Sequence, residues 1–475
     1  MFQIFLRVLD GSTTLLSVRL SLFRELMNRE RLARWREDNL LRRVLRNSSY
    51  LSSSNAVSGL LGLLQGILAT RLIGVDGYGL VNATIVTFAS NVNNLLSFRM
   101  SEAMVKFYGD ALQSGEKERA AAIAKGIGLI EVATSILTYL ILILLTPWAA
   151  RSLGKDIETA PLFMFYGLVI LGNLVYETSR GVLQTARRFD LIGRITMLQS
   201  LITAGLISIA FMLQRDIFEI LAAYLAGKVF AGFTIALFAL RELNRDIGRN
   251  WWRVSLRQVG NWREIFTFAL STNLNGTVNL IARDSAPLVL VWLRPAEVAH
   301  LEAGYFRLAL GLINYAILPI EPFIWPTYSE ITRTIAERKW RETRILLRRV
   351  SLISAAWMAI AGGGLALLGW WLIPFLYTAE AAPTYPALLV LLIGYSFGSI
   401  FTWNRPLLLA LGKPSYPLVI AAVVGVVELT LAFILVPRFG YLAQAALLSS
   451  YFIVAIGLIT LRGLREIRVQ ESKTE

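Results

Sequence analysis

Between residues 50 and 461 the chain alternates apolar stretches of about 20 residues or more with short polar segments rich in arginine and lysine. Twelve stretches can be read, at roughly 50–72, 79–99, 122–146, 161–183, 195–213, 217–240, 265–293, 301–325, 349–376, 385–410, 415–436 and 441–461. Each is long enough to cross the ~30 Å hydrocarbon core of a bilayer as a helix. Lipid offers no hydrogen-bond partner to an open sheet edge, so all of them are expected to be helical. The fold class that follows is an all-α polytopic membrane protein.

The segments between the stretches set an orientation. Lysine and arginine number 35 on the side that holds both termini and five on the other. Basic loops are retained in the cytoplasm, so both termini are expected there. The same bias accounts for the net charge of +15 without a nucleic-acid partner. Residues 1–48 stand apart: "LSVRLSLFRELMNRERLARWREDNLLRRVL" places Leu, Phe and Trp at intervals of three and four among arginines. That pattern suits a basic amphipathic helix lying on an anionic leaflet. It suits a solvated helix, or a tail for a partner protein, about equally well. No cleavable signal peptide is expected, because no uninterrupted apolar core precedes a small-residue cleavage site.

Composition narrows the chemistry. The 475 residues are 55% hydrophobic, with no cysteine and one histidine, His300, and the mean hydropathy is +0.57. Disulfides are excluded, and a metal site built on converging His or Cys ligands is not expected. No Gly-rich Lys-Ser/Thr phosphate loop is present, so no built-in ATPase is expected.

The spacing contains a repeat. Gly77-Tyr78 opens the second stretch and Gly304-Tyr305 the eighth, an offset of 227. Ser101-Glu102 and Ser329-Glu330 follow those stretches at an offset of 228. "RGVLQTARR" (180–188) and "RPLLLALGK" (405–413) close the fourth and tenth at an offset of 225. Matches in one order at nearly one offset imply two six-helix halves inserted in the same orientation, the parallel repeat found in transporters. The expected organisation is an interfacial segment over 1–48, a first lobe over 49–240, a linker over 241–264, a second lobe over 265–461 and a tail over 462–475.

Charged residues inside the stretches are candidates for function, because a charge at membrane depth without partners is unfavourable by a contested ~3 to 17 kcal/mol. Arg283 and Asp284 interrupt "NLIARDSAPLVLVWL" (279–293). Asp284 lies about 14 Å from the outer end of its stretch, near mid-bilayer. The alternatives are a cavity pair and a buried ion pair that fixes lobe structure. Lys228 sits mid-stretch in the sixth helix. Arg180 and Arg405 occupy equivalent places in the two repeats, either to catch a lipid phosphate or to snorkel to the interface. Arg99 ends the second stretch near the inner mouth. Asn275 and Asn279, within the polar run "STNLNGTVN", can hydrogen-bond sugar hydroxyls or neighbouring helices.

"RLIGVDGYGLVNA", "FRMSEAMVKFYGDALQSGEKERA" and "IARDSAPLVLVWL…EAGYFRLA" resemble the oligosaccharide-lipid flippases of the polysaccharide-export branch of the MOP superfamily, O-antigen flippases among them, over about residues 48–465. The resemblance implies two six-helix lobes around a central cavity, MATE-like in architecture, in a bacterial inner membrane. It implies that a polyprenyl-(pyro)phosphate-linked oligosaccharide moves from the inner to the outer leaflet, for cell-surface polysaccharide biosynthesis, without chemistry on it. Expected partners are that substrate, membrane lipids and the polysaccharide polymerase or chain-length machinery. The chain is expected to be a monomer with no cofactor, H+ or Na+ serving as the coupling ion. The nearest rival is a MATE-like cation-coupled small-molecule exporter, which would favour acids in the first lobe's cavity; the first stretch, "SSSNAVSGLLGLLQGILATRLIG", has none.

Overall fold

The computed structural model describes residues 39–96 and 100–472, and every regular element among them is helical. Residues 1–38, most of the basic N-terminal segment, lie outside the described residues, as do Arg99 and the side chain of Asn275. From Ser52 onward the chain packs as one compact unit, and the helix that opens at Asn39 belongs to a separate one up to Leu51.

Among the described residues, eight helical runs are long and apolar enough to cross a membrane, and two more polar rods, over 262–293 and 296–336, stand beside them. Two of the eight hold two rods each. Ser54–Leu96 breaks at Gly74, whose φ of 73° favours a residue without a Cβ. The chain reverses there: the Tyr78 hydroxyl comes within 3.6 Å of the Cβ position of Gly66, whereas a straight helix would separate the two residues by about 18 Å. Ser415–Glu471 breaks at Gly440, with a φ of 64°. Ala282 packs both on Gly425 and in one cluster with Tyr451 and Ala455, so the two arms lie side by side. The rods are α1 (54–73), α2 (75–96, resuming over 100–113), α3 (Lys117–Ser152), α4 (Ile157–Thr185), α5 (Phe189–Met212), α6 (Ile217–Asp246), α7 (262–293), α8 (Ala296–Ile317, continued by Ile324–Ala336), α9 (Trp340–Leu376), α10 (Thr384–Ala410), α11 (415–439) and α12 (441–471).

The repeat extends to irregular backbone. α4 is interrupted at 173–175 and α10 at 401–403. The separation is again 228, as between the two Ser-Glu pairs. The breaks are closed differently. At the first, Glu131 of α3 is buried, and its two carboxylate oxygens accept the backbone N–H groups of Glu177 and Thr178 at 2.8 Å each. A carboxylate therefore caps the positive end of the second half-helix, Tyr176–Thr185. At the second break the Trp403 indole N–H donates to Ser351 Oγ at 2.7 Å, and Asn404 Nδ2 to the Phe401 carbonyl at 2.6 Å.

Exposure separates peripheral from central rods. α6 and α9 carry large apolar side chains open on one face, such as Phe233 at 70%, Leu367 at 75% and Trp370 at 64%. Between Trp292 and Phe323, a range that includes Ala296–Ile317 of α8, no large apolar side chain is exposed, and on α2 up to Leu96 only Leu95 is. These two rods are enclosed by the others.

α2 and α8 meet at one end, glycine on glycine. A Cβ on Gly79 would strike the His300 carbonyl, and one on Gly304 the Val75 carbonyl, so backbone touches backbone. Further ties gather around this seam. His300 Nε2–H donates to the Leu153 carbonyl at 2.8 Å, and Lys155 Nζ to the Trp292 carbonyl at 3.3 Å. Arg71 of α1 donates to the Phe375, Leu376 and Tyr377 carbonyls at 2.6–2.9 Å, capping the C-terminus of α9. Arg294 pairs with Glu302 at 2.6 Å, and Glu302 also accepts the Tyr441 N–H. Away from the seam the continuations of α2 and α8 pack on different neighbours: Ile324–Ala336 lies on α9 and α10, and residues 100–113 lie on α3, α4 and the start of α7. One end is sealed, and toward the other α2 and α8 part.

Candidate functional site

Arg283 and Asp284 lie on a π-helical turn, Leu280–Asp284, in the middle of α7. The cause is local. Pro287 has no N–H and its ring would collide with the Arg283 carbonyl, so the turn before it widens. The Ser285 N–H skips back five residues to the Leu280 carbonyl at 2.9 Å. The wide turn brings the adjacent side chains together, with Arg283 Nε–H donating to Asp284 Oδ1 at 2.7 Å. The pair expected either in a cavity or between helices is thus made within one turn of one helix. Its side chains are 42% and 45% exposed, so it borders open space. The turn is tied to α2 by the Asn91 amide, which donates to Ser285 Oγ at 3.0 Å. Asn279, half-buried, precedes the turn.

Tyr395 of α10 and Tyr451 of α12 stand within electrostatic reach of the pair, and Tyr395 also of Arg307. Arg307 reaches Tyr78 of α2 and Tyr315 of α8 as well. It forms no hydrogen bond or ion pair among the described residues, and it is only half-buried. The less buried positions of Ala296–Ile317 beyond its first turns are 307, 311, 314, 315 and 317, and all but the last share one stripe. The matching stripe on α2 is Val86, Ser90, Asn93 and Asn94. Two enclosed helices that each keep one open, largely polar face present surface that suits water better than lipid.

Lys228 is exposed, yet it shares the face of α6 that buries Leu221, Ala231 and Ile235 and carries Tyr224. The open apolar face, with Val229, Phe233, Leu237 and Leu240, is centred about 130° away. Tyr224 in turn approaches Tyr78, Asn82 and Tyr166, so Lys228 points inward from the first half. Arg180 and Arg405 sit on the half-helices beyond the two breaks and do not join the Arg283 cluster. Arg180 is half-buried with Nε unpartnered, and no ion pair links it to Glu177; Arg405 is exposed. Glu428 of α11 is buried near Tyr395 and Tyr451 with one carboxylate oxygen unpartnered.

Sequence reasoning does not single out Arg307, because its place two residues after Gly304-Tyr305 suggests an interface anchor. The available signal was the charge itself, set in a run of small and apolar residues. The tyrosines had no signal, since they come from six different helices.

The model of one family, described as polysaccharide biosynthesis protein, matches residues 44–332. The chain belongs to the polysaccharide biosynthesis protein family. One relative of this family member is the inner membrane protein YghQ of Escherichia coli strain K12, 24% identical over 300 residues, which cover 63% of this chain and 83% of that one. Among solved structures, an inward-facing multidrug resistance MATE family transporter of the MOP superfamily superposes with a TM-score of 0.70 at 15% identity, covering 88% of this chain and 96% of that one. A MOP superfamily transporter from Pyrococcus furiosus, described as having a binding pocket of reversed polarity, superposes with a TM-score of 0.65 at 16% identity, over 90% and 96%. The family member is a polytopic membrane protein with the MATE-like fold of MOP transporters.

Proposed function

We propose that the protein is a flippase that carries a polyprenyl-(pyro)phosphate-linked oligosaccharide from the inner to the outer leaflet by alternating access. The observation that supports this most is Arg307, an unpaired guanidinium on the open face of an enclosed helix. Such a cation is unfavourable at membrane depth unless water or an anion reaches it. A (pyro)phosphate suits a guanidinium fork, and the tyrosines around it offer faces for sugar rings. Lys228 faces the same region from the first half. The Arg283–Asp284 pair holds a second cation in reserve: phosphate or an acidic sugar would draw Arg283 away from Asp284. Charge bias puts the parted end of α2 and α8 at the cytoplasm, where a lipid-linked cargo assembled on the inner leaflet would enter. Glu428 and Asp284 are the carboxylates placed to take up H+ or Na+ as a coupling ion for the return step.

The test is flipping of a lipid-linked oligosaccharide in proteoliposomes. Arg307→Ala should reduce transport at least tenfold at unchanged expression and melting temperature, and Arg307→Lys should retain part of it. Full transport by Arg307→Ala would overturn the assignment.

A further inference from the structure

Gly311 lies one helical turn from Arg307 and one turn from Tyr315 on the open face of α8. Neither packing nor conformation explains a glycine there. A Cβ would meet no atom within 4 Å, and its φ is not in the positive region. Glycine inside a helix is less favourable than alanine by about 1 kcal/mol in water. Gly304, on the same helix, is different, because a Cβ there would strike the Val75 backbone. Three other helical glycines have as much room, Gly205, Gly363 and Gly364. They lie among exposed apolar side chains, Leu201, Leu206 and Ile209 around the first and Ile360 and Leu367 around the other two. Gly311 instead sits between an unpaired cation and a phenol. The exposed Asn314 amide on the same stripe makes no side-chain hydrogen bond among the described residues. The result is a notch with a bare floor, a cation at one end, and an amide and an aromatic ring at the other.

We propose that this notch is a subsite for the sugar ring attached directly to the cargo's phosphate, with Gly311 as its floor. The proposal rests on the flippase reading and specifies where the cargo's first sugar sits. With the phosphate on Arg307, the next ring falls one turn along α8, where a residue without a side chain leaves the most room. The ring's hydroxyl or acetamido groups meet Asn314, and Tyr315 closes the far side. The size of residue 311 therefore sets which first sugars are accepted, while Arg307 is indifferent to them.

The experiment measures binding to the full-length purified protein of two probes, a short-chain polyprenyl diphosphate and the same lipid carrying one N-acetylhexosamine. The wild type should bind the glycosylated probe more tightly. Gly311→Leu should leave Kd for the bare diphosphate within about twofold and weaken the glycosylated probe at least tenfold. Gly311→Ala, a single methyl with space around it, should weaken the glycosylated probe a few-fold at an unchanged melting temperature. Equal weakening of both probes, or of neither, by a folded Gly311→Leu or Gly311→Ala would overturn the subsite. A wild type that binds both probes equally would overturn it too while leaving the flippase reading intact. A wild type that binds neither would overturn the flippase reading itself.

Discussion

One residue at the sealed end, His300, should give the fold a pH dependence. His300 lies just before the membrane-spanning part of α8, and burial pulls its pKa below the ordinary value. In the fold it stays neutral, donating to Leu153. Above the unfolded-chain value of about 6.5 both states are neutral and the His300 contribution is fully present. As pH falls below that value the unfolded chain takes up a proton that the buried site resists, so stability declines down to the folded pKa. The melting temperature should therefore drop between pH 7 and 5, and His300→Gln, which keeps a donor for the Leu153 carbonyl, should flatten that slope. An unchanged slope would exclude His300 as its source. Inside the membrane, Asp284→Asn should slow turnover more than it weakens cargo binding, as expected of a group that re-pairs with Arg283 after release. Equal losses in both would argue for a purely structural pair. At this scale the sequence marks Arg283 and Asp284 clearly, because charges in an apolar run stand out. It does not reveal that they pair with each other. That outcome depends on Pro287 four residues further on, whose effect on the preceding turn is visible only once the turn is built.

At the scale of elements, the two interrupted helices show what periodicity can and cannot reveal. The stretches themselves, and the offset that relates the halves, are legible because both are written in local composition. The interruptions are not. Asn173-Leu174-Val175 and Phe401-Thr402-Trp403 contain neither glycine nor proline, and the groups that satisfy the first break come from Glu131, more than forty residues earlier. Glu131→Gln removes the charge and offers only one acceptor oxygen to two backbone N–H groups. It should destabilise the protein by about 1–3 kcal/mol, the penalty of a buried donor left unmade. Hydrogen exchange at the Glu177 and Thr178 amides should rise before that of the rest of α4. If exchange instead rises uniformly along α4, Glu131 is not a local cap. Trp403→Phe, which removes one neutral hydrogen bond to Ser351, should cost no more than about 1.5 kcal/mol. The first half is thus pinned at its break by a carboxylate, and the second by an indole and an amide.

For the whole molecule, the proposed alternating access requires the sealed end to open and the parted end to close. The chain has no cysteine, so single cysteines report access cleanly. With Ser90→Cys or Asn93→Cys on the open face of α2, a water-soluble maleimide should label the single-cysteine protein mainly from the side where α2 and α8 part. Adding Gly304→Val should admit label from the opposite side and abolish flipping, because a side chain at the seam holds the two helices apart. Labelling confined to the original side would mean that the glycine contact is not the seal. The contact has a further consequence, which concerns heredity rather than motion. Gly79 of α2 and Gly304 of α8 touch the same seam from its two sides, each against the backbone of the other helix. A change on either side blocks the joint, and no change on the other restores it. The two breaks are held by unlike groups, Glu131 at one and Trp403 at the other, but at this joint both positions require glycine.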